Sequence, residues 1–198
     1  ALHNAFPASP ANTIIFQHHQ VNSFMDRLQQ LAQNIQLVIF DVDGVLTSGT
    51  LFFDNEGQEY KAFHSKDGHG LRMLQECGLQ AAIITGRQSR LVQHRMSDLG
   101  IEHVFQGYRD KRPAFKELLS ITGLKPDQIA YMGDDVIDLP VMTQVGMSIA
   151  VQDAHAFVIQ HADYVTQTPG GRGAAREAIE FILQAKGLLQ SKLESYLA

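Results

Sequence analysis

The strongest constraint on this chain is a short apolar run with no alternation, Leu37-Val38-Ile39-Phe40, ended by the carboxylate of Asp41. A strand with one wet face alternates apolar and polar residues, whereas an unbroken run needs cover on both faces. The pattern recurs at Leu79–Ile84, His103–Phe105, Gln128–Met132, Met147–Val151 and Tyr164-Val165. Between the runs lie stretches with helical apolar spacing: Gly70–Cys77, Ser89–Leu99, Pro113–Ile121, Asp135–Val145 and Gly173–Gly187. The first three stop at or near Gly78, Gly100 and Gly123, and glycine supplies the left-handed residue that such helix ends use. Strands alternating with helices imply right-handed crossovers and a parallel sheet with helices on both faces. The expected fold is therefore a doubly wound, Rossmann-like α/β domain. At roughly 150 residues per domain, 198 residues that are 44% hydrophobic make one such unit with a small appendage.

One segment breaks the alternation. Thr50–Phe53 and Gln58–Phe63 flank Asp54-Asn55-Glu56-Gly57, which reads as a projecting β-hairpin around a glycine-containing turn. Its aromatics, Phe52, Phe53, Tyr60 and Phe63, could pack locally, but an exposed aromatic hairpin on a monomer invites aggregation, which favours an oligomer contact. Ahead of the first strand, Asn22 or Ser23 could cap a short helix carrying Phe24, Leu28 and Leu31, and residues 1–20, with Pro7 and Pro10, read as a flexible arm.

Several classes of function are excluded by composition. With 16 Lys+Arg against 21 Asp+Glu and a net charge of -5, the chain lacks the basic stripe of a nucleic-acid binder. The single cysteine, Cys77, allows neither an internal disulfide nor a thiolate metal cluster, and the nine histidines show no ligand spacing for zinc. No run approaches the roughly 18 apolar residues of a membrane span. No secretory signal is visible, so a soluble, reducing, cytoplasmic setting is expected.

In open α/β sheets ligands bind beyond the carboxyl ends of the strands. Those ends deliver Asp41, Asp43 and Gly44; then Thr85, Gly86 and Arg87; then Arg109, Asp110, Lys111 and Arg112; then Gly133, Asp134, Asp135 and Asp138. Carboxylates gathered at one place repel and would protonate unless a cation lies between them. An all-oxygen donor set suits Mg²⁺. A hydroxyl and an ammonium suit phosphoryl oxygens. A carboxylate nucleophile beside a second acid/base carboxylate can form and hydrolyse an aspartyl-phosphate. Phosphoryl transfer uses all of these groups together.

Asp41-Val42-Asp43-Gly44-Val45-Leu46-Thr47, Thr85, Lys111 and Gly133-Asp134-Asp135…Asp138 resemble, in order and strand placement, the four motifs of the haloacid dehalogenase superfamily of phosphatases. The resemblance implies Asp41 as nucleophile, Asp43 as general acid/base, and Thr85 and Lys111 on the phosphoryl group. It implies Mg²⁺ held by the Asp41 carboxylate, the Asp43 carbonyl and Asp134. Asp138, four residues after Asp134, would share its helix face and stand behind the ligands. The spaces between motifs hold no cap domain. Together with Gly-Val-Leu-Thr, the hairpin, His64-Ser65-Lys66-Asp67-Gly68, Ile84-Thr85-Gly86-Arg87 and Gly170-Gly171-Arg172-Gly173, this resembles the capless 3-deoxy-D-manno-octulosonate 8-phosphate phosphatases of lipopolysaccharide sugar biosynthesis.

That resemblance implies a homotetramer joined through hairpins, a sugar-phosphate substrate, and a glycine-rich segment able to approach an active site. It divides the chain into an arm and short helix (1–34), a phosphatase domain (35–190, hairpin about 48–64) and a tail (191–198). The substrate carboxylate calls for a cation: Arg87 first, because its fork suits a carboxylate, then Lys66, with Arg172 third. Arg87 reads almost as well as a surface salt-bridge partner, and Gly170–Gly173 as a plain turn. Competing readings are a phosphatase for a nine-carbon acidic sugar phosphate, an inactive oligomerisation module, and a phospho-acceptor switch. In such a switch the acidic pair and the acceptor lie on different strands, whereas Asp41 and Asp43 come after the same one.

Overall fold

The computed structural model describes residues 24–197, so the readings for residues 1–20 and for the cap at Asn22 or Ser23 lie outside the described residues. The elements run α1 (residues 24–34), β1 (Leu37–Phe40), β2 (Phe52–Phe53), β3 (Glu59–Tyr60), α2 (Ser65–Glu76), β4 (Gln80–Thr85), α3 (Arg90–Asp98) and β5 (His103–Gln106). They continue with α4 (Arg112–Thr122), β6 (Ile129–Gly133), α5 (Leu139–Met142), β7 (Met147–Ala150), α6 (Ala156–His161), β8 (Tyr164–Val165), α7 (Ala174–Ala185) and α8 (Leu189–Glu194).

Six strands form one sheet in the order β5-β4-β1-β6-β7-β8, and every neighbouring pair is parallel. All four residues of β1 are buried, as its unbroken apolar run requires. Val38 and Phe40 pack with Leu71 and Leu74 of α2, Met96 of α3 and Ile179 of α7. Leu37 and Ile39 face the other way, onto Phe115 and Leu118 of α4, Met142 of α5 and Val158 of α6. The fold is the doubly wound sheet expected. The chain builds outward from β1 through β4 to β5, then returns to the other side of β1 at β6. The crevice for a ligand therefore opens at the ends of β4, β1 and β6. Only the hairpin and α2 lie between β1 and β4, and among the described residues no cap domain covers that end.

Several local readings change. Helix α2 starts at Ser65 rather than Gly70, because the buried Asp67 turns away from its own helix to take the N–H groups of Gly173 (3.1 Å) and Arg176 (2.9 Å) at the start of α7. The stretch read as one helix over 135–145 is helical only at Leu139–Met142, since the Asp138 carboxylate draws the N–H groups of Asp134 and Asp135 into a turn. Helices α6 and α8 were not read from the sequence; six residues are too few for helical spacing to show. Residues 191–194, expected as tail, continue α8, which is tied to α2 by Lys192–Glu76 (2.6 Å) and a His69–Tyr196 ring contact at 5.3 Å. The hairpin ladder is short, pairing only Phe52 with Tyr60 and Phe53 with Glu59. Its turn is held by Asp54, whose Oδ1 accepts from Glu56 N (3.0 Å) and Gln58 N (2.8 Å).

Candidate active site

The ends of β1, β4 and β6 meet at one cleft, lined by Asp41, Asp43, Thr85, Arg87, Asp134 and Ile137, with a volume of ≈ 550 Å³ that opens to solvent. Its floor is a buried ionic nest. Asp41 leaves the end of β1, where its N–H still bonds to Met132 O (3.0 Å), so the sheet itself fixes its place. One carboxylate oxygen accepts from Val42 N (2.6 Å), and the other pairs with Lys111 Nζ at 2.7 Å.

Lys111 sits just before α4 with its side chain fully buried. Its ammonium also donates to Asp138 Oδ1 (2.6 Å) and Tyr131 Oη (3.0 Å), so all three N–H groups are used. Tyr131 in turn donates to Asp138 Oδ1 at 2.7 Å. Asp138 Oδ2 accepts from Asp134 N (3.0 Å) and Asp135 N (3.1 Å). Asp138 thus orients both Lys111 and the Asp134 turn.

Oxygen atoms of Asp41, Asp134 and Asp138 lie within 4.8 Å of one another. The hydrogen bonds decide which of them suit a cation. Both Asp138 oxygens are engaged, while the Asp134 carboxylate makes no side-chain hydrogen bond among the described residues. Burial, then the Asp138 and Asp41 charges, push Asp134 up to about 8. Burial also lifts Asp41 to about 6, with Lys111 opposing and Asp138 adding to the rise. Burial works against the Lys111 charge, but Asp41 and Asp138 outweigh it and the ammonium is held more firmly than usual. Tyr131 is raised well above its ordinary range, by burial first and the Asp138 charge second. An uncommitted carboxylate beside another, each costly to ionise, is the arrangement a hard divalent cation relieves. Gly44 allows it: at φ 89 it takes a backbone conformation that side chains disfavour, and a Cβ there would overlap the Asp134 carboxylate.

Thr85 ends β4, buried, with a hydroxyl that has no hydrogen-bond partner among the described residues. The expected Asp43 also reaches the cleft, but its carboxylate is bonded to a residue the sequence reading missed, Lys61. Oδ1 is bonded to Lys61 Nζ, and Lys61 also pairs with Glu59 Oε1 at 3.3 Å. Arg87 does come to the cleft, bound to Glu59 (2.8 Å), 3.7 Å from Asp43 Oδ2, with its guanidinium 5.9 Å from the Phe53 ring centre. The salt-bridge partner expected of it is Glu59, and its guanidinium stands at the mouth of the cleft. Lys66 is not brought in: it is exposed in the first turn of α2 and does not line the cleft of its own chain. The glycine-rich run is no loose turn. Gly171 N donates to Val45 O (2.8 Å), and Gly170 and Gly171 press on the backbone of Gly44–Ser48 so closely that neither could carry a Cβ.

A signal for Lys61 existed in the strand period, since β3 points Glu59 inward and Tyr60 outward and the next residue turns inward again. Nothing in the local sequence marks Tyr131, which reads simply as a strand residue.

The model of haloacid dehalogenase-like hydrolases matches residues 103–177. The 3-deoxy-D-manno-octulosonate 8-phosphate phosphatase of Yersinia pestis is 49% identical over 169 residues, covering 85% of this chain and 88% of the relative. Among solved structures, that phosphatase from Moraxella catarrhalis, in complex with magnesium, phosphate and the sugar acid, superposes with a TM-score of 0.85 at 38% identity, covering 87% of this chain and 99% of the other. The cobalt-bound form of the Haemophilus influenzae enzyme gives 0.81 at 41% identity, covering 85% and 99%.

Proposed function

We propose, from the premise that this chain belongs to the 3-deoxy-D-manno-octulosonate 8-phosphate phosphatases of the haloacid dehalogenase-like hydrolases, that its cleft hydrolyses that sugar phosphate to the free sugar acid and phosphate. It is a Mg²⁺-dependent phosphoric monoester hydrolase of lipopolysaccharide sugar biosynthesis. The observation that carries the reading is the buried Asp41, held by Lys111, with the half-buried, uncommitted Asp134 carboxylate beside it.

Mg²⁺, when bound by the Asp41 and Asp134 carboxylates and the Asp43 carbonyl, supplies positive charge that neutralises phosphoryl oxygens. The Asp41 oxygen forms a bond to phosphorus as the ester P–O bond breaks, and the departing sugar oxygen takes a proton from the Asp43 carboxyl. A water oxygen then bonds to phosphorus as the Asp41–P bond breaks, and Asp43 takes the proton that the water gives up. The free Thr85 hydroxyl donates to a phosphoryl oxygen. Lys111, whose donors are filled, acts through its charge on Asp41 and holds the attacking oxygen in line. Arg87 keeps guanidinium donors toward the cleft mouth for the substrate carboxylate.

The exposed hairpin residues Leu51, Phe52, Phe53 and Tyr60 form the apolar face expected to join four copies. No helix among the described residues is long and apolar enough to cross a membrane. A cytoplasmic homotetramer acting on a small sugar phosphate, with neither nucleic acid nor membrane as partner, is the reading these features support.

The test is phosphate release, with Mg²⁺ and with chelator, from the eight-carbon sugar acid phosphate, a nine-carbon analogue, glucose 6-phosphate and an aryl phosphate. Strong preference for the first, abolished by chelator and by Asp41→Asn, is expected. Preference for the nine-carbon acid would move the substrate, and silence on all four would favour an inactive assembly module or a phospho-acceptor switch.

A further inference from the structure

The Asp43 side chain does not stand alone at the mouth of the cleft. Lys61 reaches it from the residue after β3, with its side chain 2% exposed, and bonds Oδ1. The same ammonium meets Glu59 Oε1 at 3.3 Å, and Glu59 holds Arg87 at 2.8 Å. Four charges alternate in sign, Asp43–Lys61–Glu59–Arg87, across the join between hairpin and sheet. Glu59 lies below its ordinary value: burial raises it, but hydrogen bonds from Ser89, Arg87 and Lys61, with the Lys61 charge, outweigh that.

Lys61 is too enclosed to touch a substrate. What it can do is choose which oxygen of Asp43 faces the chemistry. With Oδ1 fastened under the hairpin, Oδ2 carries no hydrogen bond among the described residues, and its nearest cation, Arg87 Nε, stands 3.7 Å away. A carboxylate free to rotate would offer either oxygen in many orientations, and proton transfer needs one oxygen within hydrogen-bond reach of the leaving atom.

We propose that Lys61 is a positioning residue for the leaving-group step, fixing Asp43 so that Oδ2 delivers the proton to the departing sugar oxygen. Its partner Glu59, on the two-residue strand just before it, fastens Arg87. The leaving-group side of the reaction is therefore held by the hairpin, and the attacking side by the sheet.

The inference rests on the phosphatase reading above, and leaving-group dependence separates the two. A sugar alkoxide is a strong base and needs the proton as the P–O bond breaks, whereas 4-nitrophenolate leaves without one. kcat/KM reports only the steps through formation of the Asp41–P bond, so it isolates this proton from the later attack of water. In the full chain, Lys61→Met should lower kcat/KM for the sugar phosphate by about 10²-fold, the lower range for a positioned acid, and for 4-nitrophenyl phosphate by less than about fivefold. Lys61→Arg, which keeps a cation at the hairpin base, should recover most of the lost sugar-phosphate activity.

Equal losses on both substrates in Lys61→Met would overturn the proposal, because a general structural fault falls on both. Unchanged rates on both would overturn it as well. An inactive wild-type chain would instead strike the phosphatase reading itself.

Discussion

Two lysines hold the two halves of this site, and they sit in very different surroundings. Lys111 bridges Asp41 and Asp138 at 2.7 and 2.6 Å among side chains 0–6% exposed, walled in by β1, β6 and the start of α4. Lys61 bridges Asp43 and Glu59, themselves 20% and 16% exposed, beneath a ribbon of two residues per strand. The chemistry of each trio is the same and its cost is not. Where the walls are core, an unpaired charge has no water to turn to; where they are a thin hairpin, water reaches the carboxylates once the lysine is gone. The half of the site that attacks phosphorus is built like a core, and the half that serves the leaving group like a surface.

Replacing each lysine by methionine is the most severe way to break this comparison. Lys111→Met leaves Asp41 and Asp138 buried without their cation, a change expected to cost about 3 kcal/mol or more. For a chain of this size that is a melting-point loss of roughly 10 °C, with turnover gone. Lys61→Met should shift the melting point by less than about 3 °C, since its carboxylates rehydrate. Equal shifts in thermal melts would show that both halves are alike after all.

Asp138→Asn probes the deep half more gently. An amide cannot accept from Lys111 and Tyr131 on one side and from two backbone N–H groups on the other, so the Asp134 turn loosens. Mg²⁺ half-saturation should rise by about 10–100-fold, as for lost partners behind other metal ligands. Magnesium titration of the rate measures it.

The pH dependence arises from Asp134 at about 8 and Asp41 at about 6 in the metal-free protein. Between those values Mg²⁺ must displace one proton, so its affinity should rise about tenfold per pH unit from 6 to 8 and level off above. The sign for stability is opposite. Both carboxyls bind protons more tightly folded than unfolded, so their stabilising effect is complete at acid pH and fades as pH passes about 6 and then about 8. Melts with and without Mg²⁺ should diverge across that window, and parallel curves would contradict the assigned ligands.

The smallest expected effect sharpens the contrast most cleanly. Gly44 and Gly57 have similar backbone angles, φ 89 and φ 78, but a Cβ at Gly57 meets open space while one at Gly44 strikes Asp134. Gly57→Ala should cost only about 1 kcal/mol of backbone strain and leave kcat unchanged. Gly44→Ala carries the same strain and should also lose Mg²⁺-dependent turnover.

How legible the site was depends on how far each residue's meaning lies from its neighbours in the chain. Asp41, Asp43, Thr85, Lys111 and Asp134 lie at or after the ends of apolar runs, so strand periodicity alone brought them to one edge. Lys66 falls in the first turn of α2, away from the cleft of its own chain, in a helix whose Asp67 bonds to residues more than a hundred positions away. Lys61 was missed because its partner Asp43 is 18 residues back: the strand period turns its side chain inward, but only the docking of the hairpin on the sheet shows what it meets.

The parallel sheet, the order of the motifs and the carboxylate-rich edge are all set by the linear chain, because burial of unbroken apolar runs leaves one architecture and fixes which residues stand at each strand end. Which oxygens are spoken for is settled only when the segments dock. Asp134 is left uncommitted and Asp138 is filled, Lys111 spends every donor inside the protein, and the hairpin fastens Asp43 through Lys61. Short polar side chains reach only a few ångströms, so their partners are chosen by the packing of distant segments rather than by the residues beside them.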